Sequence, residues 1–232
     1  LGIVTGLLIE ARTLSNAAQT RHASGRLTHP PLIATAAGDA SRAYTQACDM
    51  AAQGVSGLIS CGMAGGLDPA LRPGDILIAE SLRSPDGTVA VPHATWRDAL
   101  LDAISANPTI RSGALYGSYH AVCSLAEKQD LFTAHSLRAV DMESHGVARA
   151  AREHNLPFLI VRVVADPATM SIPKAAAAGM GPNGERRAGP VLAGLLRRPW
   201  ELPAIIQLAR HSRRALQALD GVAPAILETP PA

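Results

Sequence analysis

Apolar runs of strand length recur along the chain, with helical patterns between many of them. The runs fall at residues 3–9, 32–37, 57–61, 76–81, 112–119, 137–142 and 158–165. Most lack strict alternation, as expected for strands covered on both faces. Residues 38–54 start polar and stop at a glycine. Residues 144–154 read as a short helix closed by Asn155, which suits a left-handed cap. Thr-His-Pro-Pro at 28–31 and Asn-Leu-Pro at 155–157 are breakers. Strand–helix–strand order predicts a single-domain, three-layer α/β/α fold around a mixed, mostly parallel central sheet.

The C-terminal part has a different pattern. Residues 167–190 carry many Gly and Pro and little periodicity, which predicts a loop or lid insert. Residues 200–220 predict a C-terminal helix starting near Pro203. Ile205, Leu208, Ala209, Leu216 and Leu219 form its expected buried stripe, with Arg210, Arg213 and Arg214 outside. The last ten residues are expected to fray.

Length adds that residues 1–232 form one domain. Hydrophobic residues make up 47% and aromatics 3%, so the core must be built from Ala, Val, Leu and Ile. A net charge of +2 argues against general nucleic-acid binding. Cys48, Cys61 and Cys123 show no CxxC spacing and no metal-ligand cluster, so reduced thiols in a cytoplasmic protein and no metal are expected. No apolar run reaches transmembrane length. Residues 1–12 lack the basic flank of a signal peptide and read as a first strand.

Four stretches could carry chemistry. In Ser60–Asp75 a strand ends in Gly62, Gly65 and Gly66, which is either a tight turn or a place where backbone N–H groups approach a phosphate or sugar. The dinucleotide spacing G-x-G-x-x-G is missing. In Ala139–Ala151, Asp141 and Glu143 flank Met142 at a strand-to-helix junction. A helix cap, by Ser144 or one of the acids, explains one carboxylate and leaves the other for a ligand. Asp166 ends a strongly apolar strand, either as a turn residue before Pro167 or as a buried functional acid. Arg162 inside that strand needs an anion, and Glu143 is a candidate. Glu10 at the end of the first strand, with Arg12 two residues on, is either a surface pair or part of a site.

Together, "GMAGGLDPALRPGDILIAE", "AVDMESHGVARAAREHNLPFLIVRVVADPAT" and Glu10 resemble the nucleoside phosphorylase and methylthioadenosine/S-adenosylhomocysteine nucleosidase superfamily, over roughly residues 2–168. Within it, the Glu-Ala-Arg at 10–12, the glycine stretch and the "RRPWELP" tail look most like the hopanoid-associated phosphorylases. The resemblance implies a purine nucleoside phosphorylase-like fold and cleavage of an N-glycosidic bond. It assigns the ribose hydroxyls to Glu143, with Met142 lining the sugar and Arg162 supporting it. Asp166 becomes the general acid at N7 of the purine, and Glu10 the carboxylate that activates water in the nucleosidases. Gly65 and Gly66, with the backbone at Met63 and Ala64, form the wall where sugar and nucleophile meet. His120 and Val122 fall where relatives contact the base.

Three departures mark this chain. Position 63 is Met where many relatives carry Ser or Thr, Asp141 replaces a common Glu, and Pro167-Ala168-Thr169 replaces a short polar run. Arg12, Arg42 and the glycine loop could supply donors to phosphate. The leading expectation is phosphate attack on adenosylhopane, releasing adenine in hopanoid lipid biosynthesis. Phosphate is then a co-substrate and no cofactor is needed. The alternatives are a hydrolytic nucleosidase and a non-catalytic nucleoside-binding module. The resemblance also implies a homo-oligomer. The arginines of the C-terminal helix would permit peripheral contact with the inner face of a membrane.

Overall fold

The computed structural model describes residues 1–177, 179, 181, 184–185 and 187–231. The strands are β1 (Gly2–Thr5), β2 (Leu32–Thr35), β3 (Leu58–Gly66), β4 (Ile76–Arg83), β5 (Val89–Ala90), β6 (Ile110–Gly117), β7 (Ala139–Asp141) and β8 (Phe158–Asp166). The helices are α1 (Leu8–Ala23), α2 (Ala40–Ala52), α3 (Ala94–Ala103), α4 (Leu125–His135), α5 (Ser144–Glu153), α6 (Lys174–Ala177), α7 (Ala188–Arg197) and α8 (Leu202–Glu228).

The strands form one sheet in the order β2-β1-β3-β7-β6-β4-β5, and β8 bridges β3 and β4. Strands β3, β7, β6, β4 and β8 therefore close into a ring, from which β1 and β2 extend. The pairs β1–β2, β1–β3, β3–β8, β4–β6 and β6–β7 are parallel, while β3–β7, β4–β5 and β4–β8 are antiparallel. This is the mixed, mostly parallel single-domain α/β fold the pattern predicts. The ring, which no periodicity reveals, is the added feature.

β8 shows why its apolar run does not alternate. Leu159, Val161 and Val163 pack with Leu14 of α1, Trp96 of α3 and Leu219 of α8. Phe158 and Ile160 pack on the other face with Ala43 and Ala47 of α2 and Val147 and Ala151 of α5. Each fully buried Val, Leu or Ile contributes about 1.5–3 kcal/mol.

Three expectations change. The strand expected at residues 3–9 stops at Thr5, and Glu10 stands in the first turn of α1 rather than at a strand end. The cause is local: the Glu10 carboxylate accepts the Gly6 and Leu7 N–H groups, satisfying donors that a helix start leaves orphaned. The tail is not frayed. α8 runs to Glu228 with Val222, Ala223, Ile226 and Leu227 buried, and Trp96 Nε1–H donates to the Thr229 carbonyl at 2.7 Å. The buried stripe of α8 is also displaced toward its C-terminal half. Of the expected stripe only Leu219 is buried, joined by Ser212, Ala215 and Val222; Ala215 is the first α8 residue in the core cluster that holds Leu14 of α1 and Trp96 of α3. Arg210, Arg213 and Arg214 are exposed, as expected.

The expected insert at 167–190 contains α6 and the start of α7. Its residues 178, 180, 182, 183 and 186 lie outside the described residues. Gly184 returns to the start of α1, where its carbonyl accepts the Leu8 N–H at 3.3 Å. On α7 and early α8, Leu192, Leu196, Trp200, Leu202 and Ile206 are exposed. Among the described residues, no helix is long and apolar enough to cross a membrane.

Candidate active site

Arg162 is the hub. The β3–β8 register sets it beside Gly62, and it is fully buried. Its closest ion-pair partner is Asp141, in direct contact through Nη2. The same nitrogen donates to Ser60 Oγ at 2.5 Å and Ser144 Oγ at 3.0 Å. Asp141 also accepts the Ser144 N–H at 3.3 and 3.2 Å and the Ser144 hydroxyl. Asp141 therefore caps α5 and neutralises Arg162 at once. Burial opposes the charge of Arg162, but Asp141, Glu143 and Glu10 outweigh it and raise the guanidinium pKa.

That arrangement separates the two acids of the Asp-Met-Glu stretch. Glu143 makes no cap hydrogen bond and lies 3.4 Å from Arg162, a loose ion pair. It is left facing the start of α1. Burial pushes its carboxyl up to about 7, against the pull of Arg162.

Glu10 is 1% exposed, and both its oxygens accept backbone N–H groups. Oε2 accepts the N–H of Gly6 at 2.9 Å and of Leu7 at 2.8 Å, and Oε1 accepts the N–H of Met63 at 2.8 Å. A carboxylate offers about four lone-pair sites, so these three bonds leave one, on Oε1. Burial raises the Glu10 pKa, opposed by those N–H groups and by Arg162.

Two glycines make room for these acids, and the sequence pattern marked neither role. A Cβ on Gly6 would lie 2.6 Å from Glu143 Oε1 and 3.6 Å from Glu10 Oε2. A Cβ on Gly62 would lie 2.6 Å from Glu10 Oε2 and 3.0 Å from Arg162 Nη1. Glu10 and Glu143 thus converge on Gly6 from α1 and from the β7–α5 junction.

Asp166, the last residue of β8, pairs with Gly65, two residues beyond Met63 on β3. The register slips between Ala64 and Gly65, so Ala165 is the extra residue of a bulge that re-aims Asp166. Asp166 Oδ2 accepts from Lys128 Nζ at 2.5 Å. Burial pushes the Asp166 carboxyl up to about 6, while Lys128 pulls it down. Met63 and Gly65 are two strand residues apart, about 7 Å. Strand β3 therefore carries the contact to Glu10 and the partner of Asp166 two residues apart.

The remaining predicted residues divide. Met142 and Met63 are half-buried beside Glu143 and Glu10, and Ala64 and Gly66 are buried within β3. Val122 is buried with Leu67, Leu137 and Val140. His120 is exposed and pairs with Glu127 at 3.0 Å. Arg12 is exposed, about 200° around α1 from Glu10, and the helix does not bring it to the site. Arg42 stands half-buried in the first turn of α2. Lys128, Ser60 and Ser144 join the site although no spacing pointed to Lys128 or Ser60. The one clue is that Lys128 and Lys174 are the only lysines among 21 basic residues.

Three buried carboxylates, a guanidinium and an acid–lysine pair are thus gathered on a ring-closed α/β sheet. The chain belongs to the phosphorylase superfamily, whose profile matches residues 10–197. A curated relative is the 5′-methylthioadenosine/S-adenosylhomocysteine nucleosidase of Glaesserella parasuis serovar 5 (strain SH0165). It is 30% identical over 132 residues, covering 47% of this chain and 55% of the relative. The matched part of the chain thus spans about half the length of that relative. Among solved structures, the nucleosidase of the same name from Neisseria meningitidis, in complex with methylthio-immucillin-A, superposes with TM-score 0.72. That match has 15% identity and covers 98% of this chain and 96% of that one. The Helicobacter pylori futalosine hydrolase superposes with TM-score 0.66 at 17% identity, over 85% of this chain and 97% of that one. At these identities the likeness is one of fold.

Proposed function

We propose that the protein hydrolyses the N-glycosidic bond of a 5′-substituted adenosine, releasing adenine. The observation that carries this reading is the spare lone pair on Glu10 Oε1, held beside Glu143 and across β3 from Asp166. Glu10 takes a proton from water as its oxygen attacks C1′ of the ribose. The C1′–N9 bond breaks and its electron pair goes to the purine. Asp166 gives its proton to N7, so the base leaves neutral. Glu143 accepts the ribose hydroxyls and sets negative charge near the cationic sugar. Asp141 and Arg162 position Glu143.

Water is favoured over the phosphate expected from the subgroup resemblance. The nucleophile side of the site is lined by Glu10 and Glu143, which repel a phosphate anion, and Arg162 is already paired with Asp141. Arg12 is exposed. The relatives above carry the names nucleosidase and hydrolase.

The test is release of adenine from methylthioadenosine and related nucleosides with and without inorganic phosphate. Equal release, with free sugar as the second product, is expected. Release that requires phosphate and yields a sugar 1-phosphate would overturn hydrolysis.

A further inference from the structure

Lys128 is a charged side chain with no exposed surface, which is costly unless its charge and its three N–H donors are all met. They are met by three oxygens: Asp166 Oδ2 at 2.5 Å, the Pro167 carbonyl at 3.0 Å and the Met170 carbonyl at 3.0 Å. The lysine comes from α4, 38 residues before Asp166 in the chain, so its place beside Asp166 is set by the tertiary fold. Two of its bonds fix the turn after β8 and the third reaches the carboxylate itself.

We propose that Lys128 is the positioning cation for the acid step, holding Asp166 so that Oδ1 carries the proton and stabilising the carboxylate left when that proton departs. This inference rests on the reading of Asp166 as the acid that protonates the purine. Lys128 occupies Oδ2, so Oδ1 is the atom free to face a base. Before transfer the Lys128–Asp166 pair carries one positive charge. As the Oδ1–H bond breaks and the N7–H bond forms, the pair becomes neutral and its attraction reaches full strength. An interaction that strengthens along the reaction lowers the barrier. An unpaired, buried carboxyl would hold its proton too tightly to be an effective acid near neutral pH.

Two titratable groups among the described residues lie close to the pair on α4 and the loop before it. Glu127 precedes Lys128 on α4 and pairs with His120, and the Cys123 thiol is raised by burial and by Asp166. The three acceptors suit an ammonium better than the planar fork of an arginine.

The experiment compares wild type with Lys128→Met and Lys128→Arg. Two readouts are used: carboxyl carbon-13 NMR titration, with the Asp166 signal assigned by its loss in Asp166→Asn, and pH profiles of kcat and KM. In Lys128→Met the Asp166 midpoint is expected to rise by about 1–3 pH units, the usual effect of losing an adjacent opposite charge. Meanwhile kcat falls by about 10²-fold with KM little changed. Activity thus drops although more of the acid is protonated, which a purely structural lysine does not produce. In Lys128→Arg the Asp166 midpoint stays near the wild-type value and kcat is partly restored. If Lys128→Met does not fold, the arginine variant decides: an Asp166 midpoint more than about one unit above wild type overturns the proposal. So does an unmoved midpoint in a folded methionine variant. If the wild type releases no adenine, the functional reading fails, while the NMR titration still judges the pairing of Lys128 with Asp166.

Discussion

Glu10 Oε1 accepts the Met63 N–H at 2.8 Å, and that bond joins the first turn of α1 to the strand that also flanks Asp166. The position of the Glu10 carboxylate, the proposed base, is therefore fixed by the backbone of β3, whatever side chain stands at 63. A methionine at 63 serves because its backbone N–H, not its side chain, makes the contact.

Glu10→Gln tests this. A glutamine oxygen can replace only one carboxylate oxygen, and its NH2 group would face a backbone N–H, donor against donor. The variant also lacks a base. Adenine release is expected to fall by about 10²–10⁴-fold. Calorimetric binding of a nucleoside should persist, because Glu143 and Asp166 are untouched. Steady-state kinetics with circular dichroism separates lost catalysis from lost fold.

The pH dependence follows from two raised carboxyls. Asp166 is pushed up to about 6 and Glu143 to about 7, each chiefly by burial. The acid step needs Asp166 protonated and the ribose contact needs Glu143 ionised, so kcat/KM should rise with pH up to about 6, stay level to about 7 and fall above it. A carboxyl that binds its proton more tightly when folded contributes stability that is fully present below its ordinary value near 4 and lost as pH rises through its folded value. Buried histidines titrate in the opposite sense, so the measurement is a difference. The loss of melting temperature between pH 5 and pH 8 should be smaller in Asp166→Asn than in wild type. An equal loss in both would show that Asp166 titrates as an ordinary exposed acid.

Gly62→Ala places a Cβ 2.6 Å from Glu10 Oε2 and 3.0 Å from Arg162 Nη1, where neither partner has room to retreat. Overpacking of this kind costs about 1–3 kcal/mol. The larger effect should be on activity, because the carboxylate that moves is the proposed base. A melting temperature reduced by several degrees, with adenine release lowered far more, is expected. Unchanged activity would mean that Glu10 is not held where it acts.

The alternation of apolar runs and helical patterns was enough to read the layered α/β fold, and Glu143, Arg162 and Asp166 were legible because charges rarely end apolar strands without a partner. What stayed hidden was set by tertiary contact. The start of α1 depends on Glu10 reaching back to Gly6 and Leu7, so a run that looked like strand through Ile9 turns at Thr5. Arg162 looked as though it should pair with Glu143, yet Asp141 is nearer, because the cap of α5 draws Asp141 inward. Lys128 left no trace in local pattern, since its partners lie 38 to 42 residues further along the chain.

The C-terminal end of α8 gives the sharpest test of a feature that local sequence misread. Ile226 is 1% exposed and packs in the cluster that includes Trp96 and Leu159, whereas Leu196 on α7 is 87% exposed. A frayed tail would make alanine at either position nearly silent. With the tail docked, Ile226→Ala should cost about 2–5 kcal/mol by transfer and cavity terms. Leu196→Ala should stay within about 0.5 kcal/mol. Urea denaturation of the two variants beside wild type measures both, with an unchanged slope confirming that the midpoint shift is a stability change. Equal, small effects would return the tail to solvent and leave Trp96 without the cover that α8 provides.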